Sequence, residues 1–255
     1  MATYKKRGFK PKDKAAEQEL LESESATAEV FSSLDEGASR TEAWVARNQN
    51  YILGVIGIIA VGVLGYLAYV QFVQNPKEAN AANEMYYPQQ YFDQALTNTA
   101  AKDSLYNLAL NGGEGKYGFL DIIDEYSGTK AANLSHYAAG MSYLNLKNYE
   151  EAIAHLEKFS SEDAILGAMA KGGIGDAFMQ LGQPDDALGY YDQAISHSEN
   201  DYTTPKYLYK AGVTALEMNN NQKALDYFKR IKEEYSDAEE ARNIEAFIGM
   251  AKGGA

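Results

Sequence analysis

A run of 23 residues from Tyr51 to Val73 carries no charged side chain, and it is the feature that most limits how this chain can fold. Thirteen of the 23 are Ile, Leu, Val or Phe. A helix of about 20 such residues crosses the roughly 30 Å hydrocarbon layer of a membrane. The alternative, a buried helix of a soluble domain, is seldom so long or so free of Lys, Glu and Asp. The run therefore predicts one transmembrane helix surrounded by lipid, within a helical segment 39–75.

The charges on either side of the run predict its orientation. Arg40 and Arg47 lie close upstream, whereas Lys77 is the only basic residue downstream until Lys102. The positive-inside rule then places the N-terminus in the cytoplasm and exports everything after Asn75. A cleaved signal peptide is disfavoured because about 50 residues precede the run and its apolar core is too long. Residues 79–81, Ala-Asn-Ala, resemble a cleavage site, so processing stays open as an alternative.

Charge and cysteine content restrict the function of the second part of the chain. Of the 23 basic and 36 acidic residues, 15 and 27 follow Asn75, which leaves this part at −12. Such a charge excludes nucleic acid as the expected partner, since phosphate binding needs basic patches. The chain has no cysteine, so disulfides, thiolate metal sites and cysteine nucleophiles are all excluded.

Residues 1–38 are predicted to form a mostly disordered cytoplasmic tail. A basic head, Met1 to Lys14, precedes an acidic stretch with few bulky apolar residues. The head is either a contact for anionic lipid or an RNA-rich partner, or a solvated tail that only enforces topology. Residues 39–42, Ser-Arg-Thr-Glu, form a capping-box pattern, so a helix is predicted to begin there and continue into the span.

Small residues inside the span predict a face for helix–helix contact. Gly54, Gly57, Gly65 and Ala68 fall on one side of the helix, where another helix could approach closely. The alternative is that they reflect the high glycine content of membrane helices in general. No ionisable residue lies in the span, which argues against a proton or ion path.

Membrane-proximal helices and a degenerate repeat are predicted for residues 76–132. Apolar residues recur there at three- and four-residue steps, and Pro88 is expected to bend or break the segment. A glycine-rich break, residues 111–115, follows, and then a degenerate repeat helix around Tyr117 to Tyr126.

Three helical repeats are predicted for residues 133–235. Gly140, Gly175 and Gly212 begin similar stretches, each with an alanine 12 positions later and a bulky residue four positions beyond it. The alanines are Ala152, Ala187 and Ala224, and the bulky residues are Leu156, Tyr191 and Phe228. Two antiparallel helices explain this spacing, because small residues let the helices approach and the bulky residue fills the gap against the next pair. The similar stretches from Asp124 and Glu233 support a further repeat upstream and a terminal capping helix, Asp237 to Ala251, within residues 236–255.

This pattern resembles the tetratricopeptide repeat. Departures are His136, Lys171 and Leu208 in place of the usual tryptophan, and Ala215 in place of a tyrosine. The fold class is therefore predicted as all-α, with one transmembrane helix followed by an α-solenoid of tetratricopeptide-like hairpins. By the same resemblance, the first helix of each hairpin lines a concave groove that binds peptides. The candidate residues are Tyr137, Met141, Leu144, Met179, Tyr209 and Val213, although ordinary interhelix packing would explain such a row equally.

Patterns that would indicate enzyme chemistry are missing from the sequence. Residues 111–116 look like a phosphate loop but lack its first glycine and its Ser or Thr, so a turn is predicted. His136, His155 and His197 have no metal-ligand spacing and are predicted to be isolated surface or core residues. Carboxylate pairs such as Glu150/Glu151 and Asp185/Asp186 are placed at helix starts, where the helix dipole favours them. We predict no catalytic residue, metal or cofactor, and an enzyme is a minor alternative.

The layout as a whole resembles the ancillary subunit of the bacterial Sec translocon of the single-span type. The stretches from Thr41 and from Glu78 carry this resemblance together with the repeats. It implies a bacterial inner-membrane protein with a periplasmic C-terminal domain. It also implies the Sec translocon, a membrane-anchored peptidyl-prolyl isomerase chaperone and exported polypeptides as partners, and a non-enzymatic adaptor or chaperone-like role. The alternative is a scaffold subunit of another envelope machine, for outer-membrane assembly, secretion or division.

Overall fold

The computed structural model of the chain describes residues 14–253, with the side chains of Glu29 and of residues 41–253. The chain divides after Tyr69 into two units, which we describe separately. Both units are helical, and the described residues contain no strand, only one isolated β-bridge between Gly113 and Lys116. This confirms the predicted all-α class.

The first unit contains one long helix, α1, from Lys14 to Tyr69. The predicted disorder of residues 14–38 is therefore wrong, because helix α1 covers them. Ala, Glu, Leu and Gln dominate its first two turns, and all four are strong helix formers. Residues 39–42 lie inside this helix, so they do not form the predicted N-terminal cap. Residues 1–13 fall outside the described part of the chain.

The apolar part of α1 has the length and exposure that a membrane span requires. One helical stretch of the described chain, within Thr41–Thr97, is long and apolar enough to cross a membrane, and its most apolar window is 0% buried. The predicted contact residues Gly54, Gly57, Gly65 and Ala68 are all exposed. A Cβ atom added to any of those three glycines would meet nothing within 4 Å.

The second unit begins with a π-helical turn, Val70–Gln74, and contains eleven further α-helices in its described residues. They are α2 (Asn75–Glu84), α3 (Tyr86–Thr97), α4 (Lys102–Asn111), α5 (Phe119–Glu125), α6 (Lys130–Asn145), α7 (Tyr149–Leu156), α8 (Leu166–Gln180), α9 (Pro184–His197), α10 (Thr203–Glu217), α11 (Asn221–Glu234) and α12 (Ile244–Gly253). A 3₁₀-helical turn, Glu239–Asn243, precedes α12.

Proline and glycine account for the breaks between the early helices. Pro88 is the third residue of α3, a first-turn position where the missing N–H costs no hydrogen bond, and α2 ends just before it. Gly112 ends α4 with a φ of 73°. A side chain there would collide with the chain, since its Cβ would lie 2.1 Å from the Lys116 carbonyl oxygen. The glycine-rich stretch is thus a turn, as predicted.

One core joins the helices predicted to be membrane-proximal, α2, α4 and α5, to the first repeat. Ala81 of α2, Leu110 of α4, Phe119 of α5 and Ala139 of α6 are buried in the same cluster. The described residues from Val70 to Gly253 accordingly form one compact unit, which contains both the segment 76–132 and the repeats.

Polar contacts reinforce the attachment of α2 to the start of α6. The Glu78 carboxylate accepts hydrogen bonds from the Lys130 backbone N–H at 2.9 and 3.1 Å. It thereby satisfies a free donor in the first turn of α6. Lys77 Nζ donates to the Ser127 carbonyl oxygen at 2.8 Å, which fixes the preceding loop.

Three antiparallel hairpins follow, α6/α7, α8/α9 and α10/α11, and they occupy the predicted repeats. The small residue of each repeat faces its bulky partner across the hairpin. A Cβ at Gly140 would lie 2.6 Å from Leu156, at Gly175 2.6 Å from Tyr191, and at Gly212 2.4 Å from Phe228. The three alanines Ala152, Ala187 and Ala224 are fully buried. The close approach of the two helices at the small residue agrees with the spacing, whereas the bulky residue, expected to fill a gap against the next pair, also packs within its own hairpin.

Helix α12 lies at the end of the array and begins at Ile244 rather than at the predicted Asp237, because a 3₁₀-helical turn occupies residues 239–243. Helix α12 packs on α11 and buries Ile244, Ile248 and Ala251. The other residues of α12 leave the end of the row of hairpins covered by a partly exposed helix, as terminal repeats do in solenoids. Residues 254 and 255 lie outside the described part of the chain.

Candidate functional site: the inner groove of the repeats

A cavity of about 560 Å³ opens between the C-terminal ends of α6 and α8 and the middle of α10, the first helices of the three hairpins. Of the six predicted groove residues, Leu144, Met179, Tyr209 and Val213 line it. The other two lie elsewhere. Tyr137 is buried, with its ring centroid 5.2 Å from that of Phe159, and Met141 packs in the same core. Periodicity therefore locates the groove, but it does not separate groove residues from core residues one or two turns away on the same helix.

A second cavity, of about 400 Å³, continues the first toward the cap. The two share Tyr209 and Lys210, and the second is also lined by Lys206, Glu240 and Phe247. Sequence reasoning missed the contribution of Phe247, because it treated the capping helix only as a lid on the core. The aromatic ring of Phe247 packs edge-on against Tyr209 with the centroids 5.1 Å apart. These two adjoining cavities, which share lining residues, are together called the inner groove.

Residues one repeat apart build the floor of the inner groove. Thr214 Oγ1 lies 3.4 Å from Met179 Sδ, and Lys210 Nζ lies 2.5 and 2.6 Å from the two carboxylate oxygens of Asp176. These pairs are separated by 35 and 34 positions, which is the spacing of the repeats. The stacking of similar hairpins thus brings equivalent positions of α8 and α10 together.

Asp176 is the centre of a small polar network in this floor. Tyr191, 3% exposed, donates from its hydroxyl to Asp176 Oδ1 at 2.8 Å. Burial, and then the nearby Asp176 charge, raise the pKa of the Tyr191 hydroxyl, which keeps it a protonated donor. Because Asp176 and Lys210 neutralise each other, the floor presents no unbalanced charge from this pair.

Asp176→Ala should destabilise the second unit by about 1–2 kcal/mol, because Lys210 and the Tyr191 hydroxyl would each lose a partner. Both Asp176 and Lys210 are about a third exposed, so water would replace part of the interaction. Urea unfolding of the full-length chain measures the change. Asp226→Ala, on the exposed side of α11, is the matched control and should change stability by less than about 0.5 kcal/mol. Equal losses for the two variants would contradict the structural role of Asp176.

A third cavity, of about 420 Å³, lies among α7, α8 and α9 and is lined by Leu156, Tyr190 and His197. It lies beside α7, which is short. Helix α7 stops four residues after Ala152, whereas α9 continues for ten residues beyond Ala187. Its lining mixes charged, polar and apolar side chains without a common chemistry.

The described residues contain no cluster of three or more His, Asp or Glu side chains placed to hold a metal ion. Glu150 and Glu151 lie in the first turn of α7, and Asp185 and Asp186 lie in the first turn of α9, as the dipole argument predicts.

The prediction that all three histidines are isolated is wrong for two of them. His136 of α6 and His155 of α7 meet with their Nδ1 atoms 3.1 Å apart, so one ring must donate and the other accept. Burial lowers the pKa of His155 to about 4, and His136 and Lys158 act in the same direction against Asp124 and Glu151. Burial, followed by Lys158, also lowers the pKa of His136, with Asp124 opposing. Histidines 19 positions apart share no local motif, so only the hairpin geometry reveals the pair.

The histidine pair should make the second unit less stable in mild acid. Unfolded His155 binds a proton near pH 6.5, whereas the folded residue resists it until about pH 4. Unfolding therefore takes up a proton in this window, and the stability present above pH 6.5 is lost as the pH falls toward 4. We expect a loss of about 1–2 kcal/mol after allowance for the solvent exposure of the pair. The urea midpoint, measured from pH 7 to 4, should fall less in His155→Gln than in the unmodified chain. If the midpoint falls equally with pH in both proteins, the histidine pair is not the cause of the acid sensitivity.

The fold and the inner groove define an α-solenoid of the kind that serves as a protein–protein interaction module. Residues 137–201 and 173–239 each match the tetratricopeptide repeat family. These two stretches overlap and together span residues 137–239, from within α6 to beyond the end of α11, including every residue that lines the first cavity. No curated protein matches the sequence.

Proposed function

We propose that the chain is a membrane-anchored, non-enzymatic adaptor or chaperone-like subunit that binds partner or client polypeptides in its inner groove. The observation that supports this most is the pair of adjoining cavities on tetratricopeptide-like hairpins in a chain that also contains an apolar helix of membrane-spanning length. Repeats of this type present extended concave surfaces to other proteins. Met179 and Tyr209 on the floor suit varied apolar side chains, because thioether and phenol groups adapt to different shapes.

The machine that this subunit serves is, in our proposal, the protein-export channel. The resemblance of the layout to the single-span ancillary subunit of the Sec translocon supports it, with a membrane-anchored peptidyl-prolyl isomerase chaperone as a second partner. The inner membrane, with the repeats in the periplasm, is the location that follows. A scaffold subunit of another envelope machine would have the same architecture, and identification of the partners separates the two.

Site-specific crosslinking tests the binding groove and the partners together. A photoreactive amino acid at Val213, in the groove, should capture polypeptides in intact cells, whereas the same group at exposed Leu96 of α3 serves as the control. Capture of exported polypeptides, the channel or the isomerase from Val213 supports the proposal. Components of a different envelope complex would favour the scaffold, and identical products from both positions would reject the groove as the binding site.

The orientation needs an independent test. A C-terminal reporter that functions only outside the cytoplasm should be active, since Arg40 and Arg47 precede the apolar run. An active cytoplasmic reporter at the same terminus would reverse the proposed topology and exclude a periplasmic role.

A further inference from the structure

The charge of the second unit is distributed unevenly between the inner groove and the rest of the surface. Residues after Asn75 carry a net charge of −12. The charged residues that line the groove balance, however, as three lysines and three carboxylates. They are Lys147, Lys206 and Lys210 with Asp176, Glu239 and Glu240. The whole net negative charge therefore lies outside the groove lining.

The groove floor itself favours apolar groups. Leu144, Met179 and Val213 line the first cavity, and Phe247 lines the second. The most central charges there, Asp176 and Lys210, already bind each other bidentately. A charged ligand group on this floor would lose hydration without gaining a free partner, and that loss is unfavourable. An apolar side chain has no such cost and gains from leaving water.

The net charge of −12 outside the groove lining favours positively charged partners over negatively charged ones. Charges separated by about one Debye length, roughly 8–10 Å at physiological salt, still interact across the surface. A surface of one dominant sign raises the local concentration of oppositely charged partners and speeds their association. A polypeptide whose apolar residues lie in the groove would place its flanking residues within this negative field.

We infer that the inner groove takes extended polypeptide segments in which apolar residues are flanked by lysine or arginine. This inference rests on the proposed function, because it assumes that the groove binds polypeptides. Apolar burial supplies most of the affinity, and the acidic surroundings supply the preference among segments with the same apolar residues. Segments flanked by Glu or Asp are repelled by the same field.

Three fluorescent peptides with an identical apolar centre and Lys, Gln or Glu on both sides would test this. Fluorescence anisotropy measures their binding to the full-length chain in a zwitterionic detergent, which adds no charge of its own. At low ionic strength the lysine-flanked peptide should bind roughly 3- to 10-fold more tightly than the glutamate-flanked one. The difference should shrink toward nothing at about 0.5 M salt, where screening acts within a few ångströms.

Two variants and one further peptide make the result decisive. Met179→Ala should weaken the binding of all three peptides by a similar factor. Leu96→Ala, at an exposed position of α3, should weaken the binding of none. Equal binding of the three peptides, tighter binding of the glutamate-flanked one, or undiminished binding when serines replace the apolar centre would overturn the inferred selectivity. Failure of every peptide to bind, or binding that Met179→Ala leaves unchanged, would instead reject the proposed binding function.

Discussion

Gly212→Val should destabilise the second unit by about 3 kcal/mol, because the interior of the third hairpin has no room for a side chain at this position. A Cβ there would lie 2.4 Å from Cε1 of Phe228, and Phe228 is fully buried with no space to move into. The helices α10 and α11 would have to separate, which disrupts the contact that defines the repeat. The urea midpoint of the full-length chain, followed by circular dichroism, measures the effect.

Gly189→Val is the matched control for this substitution. Gly189 is also a helix-interior glycine, in α9, but a Cβ there would meet nothing within 4 Å. Its replacement should leave stability unchanged or raise it slightly, since glycine is the poorer helix former. Phe228→Ala should relieve part of the Gly212→Val effect, so the double variant should lose less than the sum of the two single variants. Strict additivity would show that the two residues do not oppose each other.

The repeats could be predicted from the sequence because their information is local and recurs. A small residue, an alanine and a bulky residue at fixed offsets describe one hairpin. The same three residue types recur at the same offsets in three successive stretches, which chance does not explain. The same logic placed α5, the turn at Gly112 and the capping helix. Each follows from spacing or from a backbone requirement that only a few residue types meet.

Structural features in which one repeat differs from the other two could not be predicted from the sequence. The pattern implies equal outer helices, yet α7 ends at Leu156 and the chain then runs as an irregular segment to Ile165. Asn133 holds that segment through hydrogen bonds with both backbone groups of Ser160, at 2.8 and 3.0 Å. Such a tertiary contact between residues 27 positions apart leaves no periodic trace.

The structure separates the candidate groove residues, which the sequence pattern treats alike. Leu144, Met179, Tyr209 and Val213 line the groove, whereas Tyr137 faces the core. All five occupy related positions on inner helices, so the repeat pattern alone treats them alike. Which of them is accessible depends on the neighbouring hairpin, and that is settled by packing between repeats rather than within one.

Disorder in the tail was wrongly predicted for a different reason. Low hydrophobicity and many charges in residues 14–38 were read as the composition of a chain that cannot bury a core. A single extended helix needs no core of its own when Ala, Glu, Leu and Gln are abundant, since these residues favour helix through their backbone preferences. The structure accordingly has one helix, α1, through this region.

Phe119→Ala should destabilise the second unit by about 4 kcal/mol, the range for truncating a fully buried aromatic residue. Phe119, in α5, is completely inaccessible and packs edge-on against Phe92, with the centroids 6.2 Å apart. Its cluster also contains Ala139 of α6, so the cavity would open between the membrane-proximal helices and the first repeat. Leu96→Ala, at a side chain that is 62% exposed in α3, is the control and should cost less than about 0.5 kcal/mol.

Amide hydrogen exchange in Phe119→Ala then tests whether the membrane-proximal helices and the first repeat fold as one unit. Because α2, α4, α5 and α6 share a single core, exchange should accelerate together in α5 and in α6. Faster exchange in α5 alone, with α6 protected as in the unmodified chain, would show two separate cooperative units.

The groove lies at the other end of α6, beside Leu144. Peptide binding in the folded fraction should therefore persist in this variant, which separates loss of the scaffold from loss of the site.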